Sequence, residues 1–383
     1  MRIVIAGAGP AGLYCAYLIK KRRRDLDVTI FEQNPANATF GFGVVFSDRA
    51  LEFLGADDPE TVAAIMPHLE SWNDITVAHR GERIIIDGVG FTAIGRLKLL
   101  SILQKRLYSV GVVPRYSRII RSIDELGPAD LIVAADGANS FVREAFASAF
   151  GSSTTLLSNR FAWFGTRRLF GTLTQTFHKN DLGYFNAHHY RYAPDMSTFI
   201  VEVDADTFRR TGFDEMPENE ARGLCERVFE EDLAGEKLIS NRSIWRRFPN
   251  VRNRCWSHEC YVLVGDALRT AHFSIGSGTR LALEDVIALE RALDDTGYNI
   301  TDALRAYEAA RRPIVEKFLV AADSSARWYE SFSQAMELQP MEFAMSYIQR
   351  SGRVDPVKLR LMSPKFVAAY EEHQHNWKFG PAT

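Results

Sequence analysis

The chain has 383 residues, with Lys+Arg 46 against Asp+Glu 48 and a formal charge of −2. Apolar residues make up 46% and charged ones 25%, which excludes disordered, collagen-like and coiled-coil classes. The even charge balance gives no basic excess for nucleic acid or a membrane surface, and four cysteines point to a reducing, cytoplasmic setting.

Ile3 to Ile19 carries no formal charge, yet Gly7, Gly9, Pro10 and Gly12 interrupt it and the basic run Lys20 to Arg24 follows it. A secretory leader wants its positive charge first, and a spanning helix wants about 20 apolar residues. The stretch therefore reads as a buried strand over Met1 to Ala6, a turn, and a helix from Pro10 to about Lys21. Asp27 to Phe31 reads as a second strand, which completes the opening of a dinucleotide-binding βαβ unit. Thr39 to Ser47 reads as a loop, and two short helices run on to about Met66. Asp74 to Val77 and Arg83 to Ile86 read as a hairpin turning near Arg80-Gly81. A helix from Arg96 to about Leu107 follows, and Leu131 to Ala134 returns as a strand of the parallel sheet.

From Arg160 the texture changes. Arg160 to Leu169, Thr174 to His178, Tyr184 to Tyr190 and Thr198 to Val203 are aromatic and β-branched runs that predict a mainly antiparallel sheet. Glu218 to Glu231 is helical, Tyr261 to Val264 a short strand, Ser277 to about Leu293 a helix, and the chain from Asp302 mostly helical. The expected class is α/β. A Rossmann-like domain over 1–72, 92–159 and 255–330 is interrupted by a sheet domain over 73–91 and 160–254, with a helical segment over 331–383.

Three motifs carry chemistry. Gly7-Ala8-Gly9-Pro10-Ala11-Gly12 opens the first helix. Gly7 permits the tight turn, Gly9 lets the backbone approach a pyrophosphate, and Gly12 lets helix and strand pack closely. Glu32, twenty residues past Gly12 at the end of the second strand, suits the hydroxyls of an adenosine ribose. No second GxGxxG occurs, so one resident dinucleotide is expected and a second nucleotide binds transiently. The second motif runs from Asp130 through Asp136-Gly137 to Ser140, where Asn139 or Ser140 can cap the next helix. In the third, Asp266 follows a strand and Gly276-Ser277-Gly278 starts a helix whose N–H groups can face a negative flavin edge.

With those residues in view, the chain resembles the single-component FAD-dependent aromatic hydroxylases, the para-hydroxybenzoate hydroxylase class. The stretches Phe40 to Asp48, Phe161 to Gly165, Ala187 to Tyr192, Met196 to Glu202, Asn241 to Pro249 and His272 to Thr279 are closer still to the salicylyl-CoA 5-hydroxylases. They are similar also to the monooxygenase half of the 2-aminobenzoyl-CoA monooxygenase/reductases, and more distantly to the violacein-pathway tryptophan-type hydroxylases. The likeness continues to Arg350–Leu361.

What the resemblance implies is one non-covalent FAD, NAD(P)H as transient co-substrate, and O₂ delivered to an electron-rich ring through a C4a-hydroperoxyflavin. The substrate it implies is an aromatic small molecule or aryl-CoA thioester, salicylyl-CoA first. Hydroxylation of an indole-type or tryptophan-derived intermediate is the runner-up, and a flavin-fold binding protein without redox activity the rival from another class. By position, Gly7, Gly9, Gly12 and Glu32 match the adenosine fingerprint, Arg96 the phosphates, Asp136 the middle motif and Asp266 the ribityl chain. Ala8, Pro10, Ala11, Gln33, Gly43, Val44 and Gly276, Ser277, Gly278 and Thr279 complete the implied cofactor contacts. His272 and Phe273 stand where the wider class usually has two prolines, and His272 is the first candidate to handle protons. His188 and Tyr190 follow it. His188 and His189 are adjacent in a strand and face opposite sides, and the family match favours His188 for the pocket. Leu268-Arg269 departs from the family's Ala-His, which bears on the substrate. The reductase-like half of the aminobenzoyl-CoA enzymes is not seen, so ring reduction is not expected. NADH and NADPH are not distinguished, and a homodimer is compatible with the sequence.

Lys20 to Arg24 reads as a solvated helix terminus rather than a nucleic-acid patch. Cys255, His258 and Cys260 lack a second cluster, so no metal is expected. Arg242, Arg246, Arg247, Arg252 and Arg254 suit either the phosphates of a CoA thioester or a salt-bridged surface.

Overall fold

The structure is a computed structural model and describes residues 1–39, 41–47 and 52–379. The first sheet has five strands in the order Ser257–His258, Tyr261–Leu263, Leu131–Ala134, Arg2–Ala6 and Asp27–Phe31. Ile3 lies level with both Val28 and Leu131 in parallel register. The central strands Leu131–Ala134 and Arg2–Ala6 are near-continuous runs of Val, Ile, Leu and Ala because both faces of the sheet are covered there, which leaves no solvent face for polar alternation. The helix Pro10–Arg22 packs against both Arg96–Tyr108 and Gly278–Asp295. At the turn before it, a Cβ on Gly7 would sit 2.4 Å from the Ala135 carbonyl oxygen, and one on Gly12 only 1.9 Å from that of Gly7. The motif's outer glycines are thus fixed by packing.

The second sheet has eight strands. Its path runs Leu238–Ile239, Ser152–Thr166, Met196–Val203, Gly183–Ala193, Leu173–Asn180, Ile75–His79, Glu82–Ile86, and Arg246–Asn253 also pairs with Ser152–Thr166. All its pairs are antiparallel except Leu173–Asn180 with Ile75–His79. One face packs Phe164, Phe185, Phe199 and Val201 against Ala221, Leu224 and Phe229 of the helical stretch. The other packs Val77, Phe177 and Tyr190 with Tyr329, Phe343 and Tyr347 of the C-terminal helices.

Several strands differ from the sequence expectation. Gly43–Ser47, read as part of a loop, is a strand of a third, three-stranded sheet with Phe91–Gly95 and Glu70–Trp72. Its partners are remote in sequence, and the glycines around it hid the pattern. Arg246–Asn253 carries Pro249, yet it lies at the sheet edge with a register shift beside the proline, where a missing N–H is tolerated. The strand expected from Arg160 begins earlier, at Ser152.

The basic run that closes the first helix is a tethered helix end. Lys20 Nζ donates to the carbonyls of Arg24 and Leu26, Lys21 pairs with Asp58, and Arg22 with Glu290 and Asp294. Among the described residues, no helix is long and apolar enough to cross a membrane.

Candidate active site

A cavity of about 860 Å³ lies where the carboxyl ends of the first sheet meet the second sheet. That size falls in the range of small-molecule and cofactor sites. The three motifs reach it together. Gly9, Pro10 and Ala11 come from the first turn, Gly137 to Asn139 from the second, and Asp266 with Gly276, Ser277, Gly278 and Thr279 from the third. Arg96, Gly43 and Val44 form the adjoining wall, and His188 and Tyr190 stand on the second sheet's side.

Two helices present their N-termini here without a side-chain cap. Gly9 precedes Pro10–Arg22, and Ser277 precedes Gly278–Asp295, so their first N–H groups remain available to an anion. A Cβ built on Gly9 or Gly278 meets nothing within 4 Å, which leaves the backbone open to close approach. Asp266 faces the cavity although deep in the molecule, and burial pushes its carboxyl up while Arg269 and Arg96 oppose the shift. Arg96 donates from Nε to Thr39 Oγ1 at 2.9 Å, and desolvation lowers its pKa. Open glycine turns, unclaimed N–H groups, an acceptor carboxylate and an arginine are the donor and acceptor set that a flavin dinucleotide needs.

Other residues singled out from the sequence stand off the wall. Glu32 accepts from the Ala8 N–H and from the backbone and side-chain nitrogens of Asn34, each at 2.8 Å, so its carboxylate is held beside the glycine turn. Gln33 is exposed. Asp136 Oδ2 accepts from the Phe141 N–H at 2.9 Å while Oδ1 is buried without a partner, and Ser140 caps the same helix. Desolvation raises the Asp136 pKa. Phe40 and Asp48, the ends of one quoted stretch, lie outside the described residues.

The two adjacent histidines do face opposite ways. His189 stacks on Phe199 with ring centroids 5.0 Å apart, inside the apolar core. His188 lines the cavity, and its Nδ1 meets Gln175 Nε2 at 2.8 Å. His272 is 4% exposed and lies behind the wall among Phe248, Phe273 and Tyr329, with Nδ1 2.8 Å from Ser274 Oγ. Burial pushes His188 down to about 3 and His272 to about 4, so both are neutral at pH 7. The Tyr190 hydroxyl donates to the Gly43 carbonyl at 3.1 Å. Arg269, the departure from the family pattern, points away from the cavity and pairs with buried Asp285 at 2.8 Å.

Sequence reading missed Glu202. It lies at the inner end of Met196–Val203, 2% exposed, with Oε1 accepting from Asn159 Nδ2 at 2.9 Å. Burial pushes its carboxyl up to about 7, with His272 opposing. The only signal was a single carboxylate in an otherwise apolar and hydroxyl-bearing run. Of the five arginines, Arg252 pairs with Asp323, whereas Arg246 and Arg247 line the cavity mouth together with Arg160.

Residues 125–322 match the family of the FAD binding domain, and residues 5–39 that of the NAD(P)-binding Rossmann-like domain. The chain is 40% identical over 361 residues to a salicyloyl-CoA 5-hydroxylase of Streptomyces sp, covering 92% of this chain and 70% of that one. It is 36% identical to a 3-hydroxy-4-methyl-anthranilyl-(aryl-carrier protein) 5-monooxygenase of Streptosporangium sibiricum, over 86% of this chain and 89% of that one. A protodeoxyviolaceinate monooxygenase of Chromobacterium violaceum is 32% identical, over 93% and 96%. A solved 2-methyl-3-hydroxypyridine-5-carboxylic acid oxygenase superposes with a TM-score of 0.70 at 17% identity, over 94% and 96%, which shows a shared fold.

Proposed function

The chain belongs to the FAD-dependent aromatic monooxygenases, and from that premise we propose that it hydroxylates the phenolic ring of an aryl-CoA thioester such as salicylyl-CoA. The observation that carries this reading is one cavity holding both the open glycine turns and a second-sheet wall bearing His188, Phe161 and Trp163. Two relatives whose names specify thioester-bound aromatic acids support the substrate class. Arg160, Arg246 and Arg247 at the mouth add positive charge suited to the phosphates of CoA.

FAD, when bound and reduced by NAD(P)H, supplies the activation of O₂. The protein's part is to bind, orient and exclude water. In this reading, N–H groups near Gly9 and Ala11 hold the phosphates, with Arg96 as countercharge. Glu32 serves the adenosine ribose and Asp266 the ribityl hydroxyls, while the Gly276-to-Thr279 backbone borders the ring. The second sheet, from Ser152 onward, holds the aromatic substrate, and His188 meets its hydroxyl. We place the enzyme in the cytoplasm, a reading that its four unpaired cysteines support.

A panel of aromatic acids, their CoA thioesters and indoles, scored for stimulated NAD(P)H oxidation and hydroxylated product, tests the reading. Salicylyl-CoA or a close aryl-CoA is expected to respond and free salicylate not to. Turnover of an indole alone would favour the second reading, for which the protodeoxyviolaceinate relative speaks.

A further inference from the structure

Behind the cavity wall two buried polar atoms face one another without partners. His188 Nε2 and Glu202 Oε2 are 3.7 Å apart, and neither makes a hydrogen bond. The sheet sets this arrangement. His188 lies level with Ile200 in the antiparallel pairing, so Glu202, two residues on and on the same face, is its diagonal neighbour. A gap of 3.7 Å holds no water between the two atoms, and a small side-chain movement closes it.

The neighbours also fix the tautomer. Gln175 Oε1 accepts from the Tyr329 hydroxyl at 3.0 Å, so its amide nitrogen donates to His188 Nδ1. A neutral imidazole that accepts at Nδ1 carries its proton on Nε2, aimed at Glu202. The titratable and charged groups around the pair are His272, Tyr329, Glu330 and Arg350. None of them is within ion-pair distance of Glu202 among the described residues; His188 alone is.

We propose that Glu202 is the proton acceptor of the hydroxylation, acting on the substrate through His188. This rests on the phenolic substrate put forward above. The substrate hydroxyl takes the place of the Gln175 amide at Nδ1. Its O–H bond breaks and an N–H bond forms at Nδ1, while the Nε2–H bond breaks and an O–H bond forms at Glu202 Oε2. The electron pair stays on the substrate oxygen, so the ring becomes a phenolate, more nucleophilic towards the oxygen it receives. His188 is thus the catalytic residue, and Glu202 the positioning residue that holds the proton. Because Glu202 changes charge close to neutrality, its occupancy follows ambient pH.

The test is the pH dependence of product formation with salicylyl-CoA in the FAD-loaded wild type, Glu202→Gln and Glu202→Asp. The wild-type rate is expected to rise through an inflection near pH 7. Glu202→Gln is expected to keep FAD, lose that inflection and fall by about a hundredfold, within the usual range for acid–base groups. Glu202→Asp should restore part of both. A ring-fluorinated salicylyl-CoA, whose hydroxyl is more acidic, should shrink the Glu202→Gln deficit, because an already ionised phenol needs no base. Equal deficits on the two thioesters, or a wild-type inflection retained in Glu202→Gln, would overturn the assignment. If Glu202→Gln fails to fold, the same comparison of thioesters in Glu202→Asp decides. Wild-type enzyme that turns over no phenolic thioester would instead overturn the functional reading itself.

Discussion

Single residues divide between those whose role shows in the sequence and those that only the fold reveals. Glu32 and Asp266 stand at set distances from a glycine turn or a strand end, so spacing points to them, whereas Arg96 is marked by the family resemblance. Glu202 has no such marker. A carboxylate in a strand usually faces water, and here the alternation of Met196–Val203 turns it inward beside His188. Its burial has a consequence for stability. The folded carboxyl titrates at about 7 against an ordinary 4.5, so the native state binds more protons between those values and wild-type stability falls as pH rises through them. Glu202→Gln removes the charge. Its unfolding free energy should therefore gain on wild type from about pH 4.5 to 7 and level off above, by an amount on the order of 3 kcal/mol, which a rise in melting temperature relative to wild type would report. A gap independent of pH would show that Glu202 ionises as freely in the folded state as in the unfolded one. His272 was legible as a residue but not as a neighbour: its position behind Phe273 depends on the turn Phe273–Ile275, which follows it.

At the scale of elements, the parallel strands and the opening helix were legible because burial on both faces leaves long apolar runs. Gly43–Ser47 and Arg246–Asn253 were not, since each is held by a partner far away in sequence rather than by its own periodicity. The opening turn makes a contrast between two glycines testable. Gly12→Ala would put a methyl 1.9 Å from the Gly7 carbonyl oxygen, so strand and helix must part; a loss of about 1–3 kcal/mol or more is expected, with loss of FAD. Gly9→Ala meets no protein atom within 4 Å, so the apoprotein should melt near the wild-type temperature while FAD binds more weakly. Thermal melts with and without FAD separate the two. Undiminished FAD affinity in Gly9→Ala would move the phosphates away from this turn.

For the whole molecule, two sheets brought together around one cavity put the glycine turns on one side and a wall bearing His188, Phe161 and Trp163 on the other. The cavity mouth carries Arg160, Arg246 and Arg247, of which Arg160 and Arg247 lie opposite each other on paired strands. Like charges so placed disfavour one another until an anion arrives. The KM for an aryl-CoA should therefore rise a few-fold between low salt and about 0.5 M salt, while that for the phosphate-free pantetheine thioester stays level. Parallel salt dependence of the two would place the CoA phosphates elsewhere. The most direct test of the central claim is turnover of salicylyl-CoA with NAD(P)H under ¹⁸O₂ by the FAD-loaded protein. One ¹⁸O atom in the ring for each NAD(P)H consumed is the expected result. Substrate-independent NAD(P)H oxidation with no labelled thioester product would contradict it.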